Sequence, residues 1–251
     1  MTIFKEETAT DKQVRKKTVF SFTILLLFFA GCIIGWKWLH RQPEDNGIPK
    51  PLRSVLNANE NIFGFLFSTQ HLSKPYPVSS AAPRVRLNGD IGMDPGFDTA
   101  AWRLQLVRRP GDTMYISIAE IKALPKTEVI FDFKCIEGWS QVTHWGGVRF
   151  SDLVKRYGLQ EQSQLVYTGL HTPDNKYYVG IDNRSMMHAQ TILCYEMNGQ
   201  PLPMNQGAPL RLIIPVKYGV KHLKRIGTIF FSNERPRDYW FENGYDYYCG
   251  L

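Results

Sequence analysis

The chain has 251 residues, enough for one domain with a substantial core and a short appendage. Its formal net charge is +7, of which residues 1–53, with nine Lys/Arg and five Asp/Glu, carry +4 and the remainder only +3. This mild charge, without a basic stripe, argues against nucleic acid as a partner. Four cysteines without a CxxC pair argue against a zinc ribbon or a thioredoxin motif.

The N-terminal region predicts a membrane anchor. Residues 1–17 are polar and basic, and residues 18–39 form an apolar run of about the length that crosses a bilayer as a helix. Trp36 and Trp38 suit the far interface, and a buried core helix would not be apolar on every face. The excess of Lys and Arg before the run predicts a cytoplasmic tail, a single pass through the inner membrane and a periplasmic main domain.

A cleaved signal peptide is the alternative to this anchor, but no small-residue cleavage site follows the apolar run. Residues 29–32 (FAGC) faintly resemble a lipoprotein cleavage site, although the apolar residues behind them argue against it. Residues 40–80 are expected to form a connector with some local structure, because six prolines between positions 43 and 83 break regular elements. Within it, residues 61–67 (NIFGFLF) are a candidate docking segment.

Residues 81–251 predict a mixed α+β domain, since the apolar pattern indicates many short strands and few long helices. Short helices are predicted at residues 118–124 and 150–157, the second with Ser151 as a candidate N-cap. Strands are predicted at residues 84–87, 102–107, 128–133, 165–167, 177–180, 210–214 and 226–231.

Cys135 is the first candidate for chemistry, because it stands at the end of a predicted strand in the segment FKCIEGW, residues 133–139. A lone cysteine is more often structural, and neither a nucleophile signature nor an assignable histidine supports a cysteine hydrolase. A thiolate does suit a soft, high-valent metal. Cys194 and Cys249 could form a disulfide in an oxidising compartment, which the sequence alone does not decide.

A second candidate is a basic cluster that falls within nine residues and is interleaved with glycine. Such a segment could hold a phosphate through backbone N–H groups and cations, whereas a solvated basic loop is the ordinary alternative. Its members are Lys217, Lys221, His222, Lys224 and Arg225.

Two long motifs give these candidates a family context. CxEGW at residues 135–139, followed by WxG at 145–147, resembles the molybdenum-ligand motif of the sulfite-oxidase superfamily. NGxPLPxxxGAPLRLxxPxxYGxKxxK at residues 198–224 resembles that superfamily's pterin-binding segment. RVRLNG, DYW and GY, which begin at residues 84, 238 and 244, resemble its opening strand and its C-terminal end. Residues 81–251 are thus most similar to the molybdenum-containing periplasmic protein-methionine-sulfoxide reductases.

The resemblance implies a sulfite-oxidase-type molybdopterin-binding domain behind one transmembrane helix. It makes Cys135 the catalytic metal ligand and Arg211 a pterin contact, with Gln206 at a position where the reductases have asparagine. It places His222 and Lys224 in the segment that meets the cofactor phosphate. Two further cofactor contacts are assigned to Asn61 and Thr168, with Asn59 and Thr172 as open alternatives.

The implied chemistry is two-electron oxygen-atom transfer to or from a sulfur-oxide substrate, with sulfoxide reduction as the leading direction and sulfite oxidation as the alternative. A membrane haem or quinone-linked partner would supply the electrons, and neither an immunoglobulin-like dimerisation domain nor a haem domain is expected. A metal-free, membrane-tethered binding protein of the same fold is the alternative from another class. Because Arg15-Lys16-Lys17 is not a true twin-arginine signal, either the export route is unusual or the domain faces the cytoplasm.

Overall fold

A computed structural model of the chain describes residues 10–87 and 89–251. The first nine residues of the predicted tail, and Asn88 of the predicted RVRLNG strand and turn, lie outside the described residues. The chain divides into two compact units, Met1–Arg53 and Ser54–Leu251.

Helix α1, Asp11–Leu39, dominates the first unit, and no residue of it is buried. Among the described residues it is the one helix that is long and apolar enough to cross a membrane, a test that a signal sequence also passes. After it, strands β1 (Glu44–Asp45) and β2 (Ile48–Pro49) pair as a hairpin. Asn46 and Gly47 turn the hairpin with positive φ, and Arg53 donates to the Asn46 carbonyl over 2.8 Å.

Helix α2, Lys50–Leu66, is a regular element that the proline-rich composition of residues 40–80 does not predict. Pro51 is compatible with it because it lies in the first helical turn, where a backbone N–H would have no intrahelical acceptor. The aromatic segment 61–67 forms the end of this helix and the residue after it.

The second unit is built mainly from short strands and short helices. Its strands are β3 Leu104–Arg109, β4 Asp112–Ile116, β5 Lys126–Lys134, β6 Ser140–Arg149, β7 Tyr167–His171, β8 Tyr178–Asp182, β9 Ile192–Met197, β10 Gln200–Pro201, β11 Arg211–Ile213 and β12 Thr228–Ser232. Its short helices are α3 Ile118–Lys122, α4 Phe150–Arg156, α5 Asn183–Met186 and α6 Tyr239–Glu242.

These strands form two five-stranded sheets, which confirms the α+β prediction. One has the order β10-β9-β6-β5, with β11 also paired to β9. The other has the order β4-β3-β12-β7-β8, in which β3 and β12 are parallel and the remaining pairs antiparallel.

The first sheet is covered on both faces, as β9 demonstrates. Its side chains alternate between two hydrophobic clusters: Leu193 and Tyr195 join the larger one, and Ile192 and Cys194 the smaller one. The smaller cluster also contains Phe133, near the end of β5, so this side of the sheet leads directly to Cys135.

Most predicted elements occur with shifted ends, but the predicted strand at residues 84–87 is wrong. That segment is irregular, and the Gln141 side chain satisfies its backbone by accepting from Arg86 N and donating to the Arg84 carbonyl. Strands β4, β6, β9 and β10 were not predicted. Helix α4 begins after Arg149, so Ser151 lies inside the helix and is not its N-cap.

Candidate functional site

Cys135 lies in the tight turn that joins β5 to β6. Its backbone N–H donates to the Trp139 carbonyl over 2.9 Å, and Gly138 N–H donates back to the Cys135 carbonyl over 3.0 Å. Gly138 has φ +88°, a left-handed conformation that a residue with a side chain rarely adopts. Cys135 is 5% exposed, and burial raises the pKa of its thiol. The turn therefore holds a shielded thiol in a fixed place.

This thiol lines a cavity of about 260 Å³. The predicted site residues His222 and Lys224 line the same cavity, although they lie almost ninety positions further along the chain. The remaining lining residues are Gly89, Asp90, Ile91, Ile136, Glu137, Tyr177, Gly219, Val220, Trp240 and Tyr245.

Three aromatic rings, which sequence analysis did not assign to the site, form part of the cavity wall. Tyr177 donates its hydroxyl hydrogen to the Val220 carbonyl over 2.6 Å, so its oxygen is anchored to the basic segment. Trp240 and Tyr245 pack edge to face with ring centroids 4.9 Å apart. The last two belong to the DYW and GY motifs, so the resemblance had marked their positions without a role.

The basic segment 217–225 is not a solvated loop. Lys217 and Lys221 are each 1% exposed, and their ammonium groups pair with Asp182, over 2.8 Å, and with Asp238. Burial lowers the pKa of Lys217 to about 8, although Asp182 opposes the shift. Lys221 and Asp238 are enclosed together, whereas the Asp182 side chain that pairs with Lys217 is 23% exposed. The two lysines hold the segment in place and do not project towards a ligand.

Arg225 has a similar structural role. It is 1% exposed, and its guanidinium donates to three backbone carbonyls, those of Ala208, Asp94 and Met204, over 2.6–3.2 Å. It therefore ties the segment that precedes β11 to the loop around residue 94.

The His222 ring is also used by the fold. Its Nδ1 lies 3.4 Å from the Ile214 N–H and its Nε2 lies 3.1 Å from the Lys217 carbonyl, an arrangement that suits a neutral ring with hydrogen on Nε2. Burial, aided by the Arg211 charge, lowers the pKa of His222 to about 3. Its face stacks on Phe131, and Phe133 packs against it edge on. His222 thus shapes the cavity wall, while its nitrogens hold the segment 214–222.

Arg211 and Gln206 form a buried pair that lines a separate, smaller pocket and not the Cys135 cavity. Arg211 Nη1 donates to Gln206 Oε1 over 2.8 Å, and Gln206 Nε2 donates to the Val85 carbonyl over 3.2 Å. The guanidinium carbon lies 4.5 Å from the centre of the Trp145 ring. Within residues 10–87 and 89–251, Arg211 has no carboxylate partner and its Nε has no hydrogen-bond acceptor. Burial lowers the pKa of Arg211 to about 10.

Lys224 reaches the cavity from the far end of the same segment. Its ammonium donates to the Gly89 carbonyl over 2.7 Å. Burial, together with repulsion from Arg211, lowers the pKa of Lys224 to about 7. A neighbouring anion would raise this pKa again, because it would stabilise the charged form.

These features fit an anionic cofactor that brings most of its own metal ligands. A buried guanidinium without a carboxylate is a costly arrangement that an anion would relieve. In the described part of the chain, no cluster of three or more His, Cys, Asp or Glu side chains could hold a metal. A single thiol suits a metal that is otherwise held by cofactor sulfurs.

The structure brings neither Asn61 nor Thr168 to this cavity. Asn61 is exposed on α2, and Thr168 is fully buried with its hydroxyl bonded to the Asn183 side chain. Of the alternatives, Asn59 is also exposed on α2. Thr172 lies nearer the cavity, because its side chain closely approaches Gly92, next to the lining residue Ile91.

All four cysteines lie in the described residues and are free. Cys194 and Cys249 are buried, and burial raises the pKa of each thiol to about 12. Cys194 and Cys249 therefore form no disulfide with each other in this structure, and both are buried thiols.

Comparisons with known proteins agree with this geometry. The family described as the oxidoreductase molybdopterin binding domain matches residues 91–240. The chain is 31% identical over 227 residues to an Azospira oryzae protein named as a protein-methionine-sulfoxide reductase subunit, YedZ1, covering 90% of this chain and 82% of that one. It is 33% identical over 147 residues to the protein-methionine-sulfoxide reductase catalytic subunit MsrP of Xanthomonas axonopodis, covering 53% of this chain and 45% of that one.

A solved structure shares the fold. The sulfane dehydrogenase SoxCD from Paracoccus pantotrophus superposes with a TM-score of 0.50 at 16% identity, covering 66% of this chain and 46% of that chain. The chain therefore spans most of YedZ1 but only about half of MsrP and of the SoxCD chain. The sulfite-oxidase-type fold and the molybdopterin cofactor, both expected from the motifs, are confirmed.

Proposed function

The chain belongs to the oxidoreductase molybdopterin binding domain family, and from that premise we propose that it reduces a sulfoxide with Cys135 as the protein ligand of the metal. The protein is a molybdopterin-dependent oxidoreductase. Sulfoxide as the substrate class is supported by the names of the relatives, which are called methionine-sulfoxide reductases.

One observation carries the assignment of the site. A shielded thiol shares a cavity with Lys224, and the charge of the buried Arg211, which has no carboxylate partner in the described part of the chain, acts on that lysine. The thiol provides a soft donor for a metal, and the two cations provide a counter-charge for an anionic cofactor. When bound, the cofactor supplies two-electron oxygen-atom transfer at its metal.

The chain's own residues would bind and orient the cofactor and would shield the reacting centre from water. Cys135 is positioned by the β5–β6 turn. Arg211 and Lys224 would hold the anionic part of the cofactor, with Gln206 fixing the arginine. Trp240 and Tyr245 would provide an apolar surface for the alkyl groups of a sulfoxide and would keep water from the reacting centre.

Conversion of a sulfoxide to a thioether and water consumes two electrons and two protons. We therefore assign the electrons to a membrane haem or quinone-linked donor, which matches an anchored enzyme.

Helix α1 is our candidate for that anchor. It has 29 residues, none of them buried, and is long and apolar enough to cross a bilayer. With the basic residues 12–17 on the inner side, the anchor would be a single pass through the inner membrane and would place the catalytic domain in the periplasm.

Turnover by Cys135→Ser tests the assignment. The exchange replaces a soft sulfur donor with a hard oxygen of similar size, so reduction of a sulfoxide by a reduced viologen dye should collapse while the protein stays folded. Cys249→Ser, which alters a buried cysteine outside the cavity lining, is the matched control and should retain turnover. Near-normal turnover by Cys135→Ser would remove the cysteine from the mechanism. Sulfite oxidation by the unaltered protein, without sulfoxide reduction, would reverse the proposed direction.

A further inference from the structure

Helix α2 has two chemically different sides, and only one of them packs on the catalytic domain. On the packed side, both carboxylate oxygens of Glu60 lie 2.9 Å from Arg235 Nη2. Arg184 donates to the carbonyls of Gly64 and Phe67 over 3.1 and 2.7 Å. These bonds fix the rotation of the helix about its own axis relative to the domain.

The other side carries an exposed apolar stripe, which we define as Val55, Ile62, Phe63 and Leu66. Relative to Val55 they stand at i+7, i+8 and i+11, so they share one side of the helix. Each is between 53% and 62% exposed, a large fraction for four neighbouring apolar side chains. The exposed Asn59 shares this side of the helix, but the only acidic residue of α2, Glu60, belongs to the packed side, so the stripe carries no charge.

The position of α2 in the chain indicates what covers this stripe. Only ten residues, 40–49, separate the end of the candidate membrane span α1 from the start of α2. A fully extended chain of that length reaches about 35 Å, so α2 begins close to the bilayer if α1 crosses it. A helix with an uncharged apolar stripe that contains Phe, Ile and Leu is the kind that lies in the plane of a membrane interface.

We infer that α2 lies on the bilayer, with Val55, Ile62, Phe63 and Leu66 inserted among the lipid acyl chains. The inference rests on the proposed α1 anchor and adds a second, oriented contact to it. Since α2 is bound firmly to the domain, this contact fixes which side of the domain faces the membrane.

The side turned to the membrane would be the one that supports the cofactor segment. The Arg235 guanidinium lies 4.4 Å from the centre of the Tyr247 ring, and the Lys221 ammonium lies 4.4 Å from the same ring. One tyrosine thus separates the arginine bound by α2 from the segment that carries His222 and Lys224. This orientation suits electron delivery from a donor within the membrane.

Depth-dependent quenching tests the inference on the full chain in nanodiscs of phosphatidylcholine and phosphatidylglycerol. A fluorescent amino acid is incorporated at Phe63, at Phe28 inside α1, or at Tyr115, which is an exposed aromatic on β4 and serves as the control. Nitroxide-labelled lipids should remove most of the fluorescence at positions 63 and 28 and little at 115. A water-soluble quencher should show the opposite order.

The labels at positions 63 and 28 distinguish failure of the α2 contact from failure of the α1 anchor. Equal lipid quenching at positions 63 and 115 would overturn the α2 contact, whatever is found at position 28. An unquenched label at position 28 would overturn the anchor itself. If position 63 is open to the water-soluble quencher in nanodiscs and becomes shielded only in native membranes, a protein partner covers the stripe and the lipid contact is wrong.

Discussion

Lys221 and Arg211 are both buried cations of the motif at residues 198–224, yet their surroundings differ. Each is 1% exposed. The Lys221 ammonium pairs with the Asp238 carboxylate and also donates to the Gly180 carbonyl. Arg211 is held by a neutral glutamine, and no carboxylate of the described residues pairs with it.

This difference indicates two roles for buried basic residues, one in folding and one in anion binding. The number of Lys and Arg residues alone does not distinguish these roles. A buried charge with its own counter-ion belongs to the fold, because removal of either partner leaves the other uncompensated. A buried charge without one is an unfavourable arrangement that a bound anion would relieve. We therefore expect loss of the first to damage folding and loss of the second to damage cofactor retention.

The largest expected effect is on the fold. Lys221→Met should lower the free energy of unfolding by about 3–5 kcal/mol, since it leaves the Asp238 carboxylate buried without its cation. Urea unfolding of the purified variant measures this loss. The double variant Lys221→Met/Asp238→Asn should recover part of the stability, and no recovery would indicate that the ion pair is not the cause.

A smaller effect, and on a different property, is expected at Arg211. Arg211→Met should lower the stability of the cofactor-free protein by only about 1–3 kcal/mol, because it strands the neutral Gln206 Oε1 and no buried counter-ion. Loss of charge-assisted bonds to a buried anion, about 1.5–3 kcal/mol, should weaken cofactor retention by roughly 10- to 150-fold. Pterin content after dilution and gel filtration measures it. If the Arg211 variant loses as much stability as the Lys221 variant but keeps its pterin, Arg211 serves the fold and does not hold the cofactor.

The smallest expected effect is a pH dependence from Lys224. In the absence of an anion its pKa is about 7, below the ordinary 10.5. A bound phosphate raises it, so binding takes up a proton, and affinity should fall as pH rises above 7, by less than about tenfold per unit. Cofactor uptake by cofactor-free protein between pH 6 and 9 measures the slope. Lys224→Met should flatten it, and an equal slope in the variant would assign the proton to another group.

The sequence predicted the fold class, and three of the seven predicted site residues come together in the structure. Cys135, His222 and Lys224 were predicted because they stand in long motifs, and they do line one cavity. The motif could not reveal that Lys217 and Lys221 serve the fold, because their partners Asp182 and Asp238 lie in other segments. Pairing across such separations is a tertiary property.

Local elements were missed where the chain gives a contrary local signal. Pro51 argued against a helix at residues 50–66, although proline is acceptable in a first turn. Strand β9 is buried on both faces, so its residues do not alternate between apolar and polar as an exposed strand does. Thr168 was a candidate because the reductases have a threonine contact after a nearby strand, but its hydroxyl donates to Asn183 inside the core.

The most direct test of the central claim is X-ray absorption at the molybdenum edge, because it counts the sulfur atoms bound to the metal. The measurement compares the unaltered protein, Cys135→Ser and the control Cys249→Ser, each loaded with cofactor. Cys135 as ligand predicts one fewer sulfur neighbour, and one more oxygen, in Cys135→Ser alone. An unchanged number of sulfur neighbours in that variant would contradict the account.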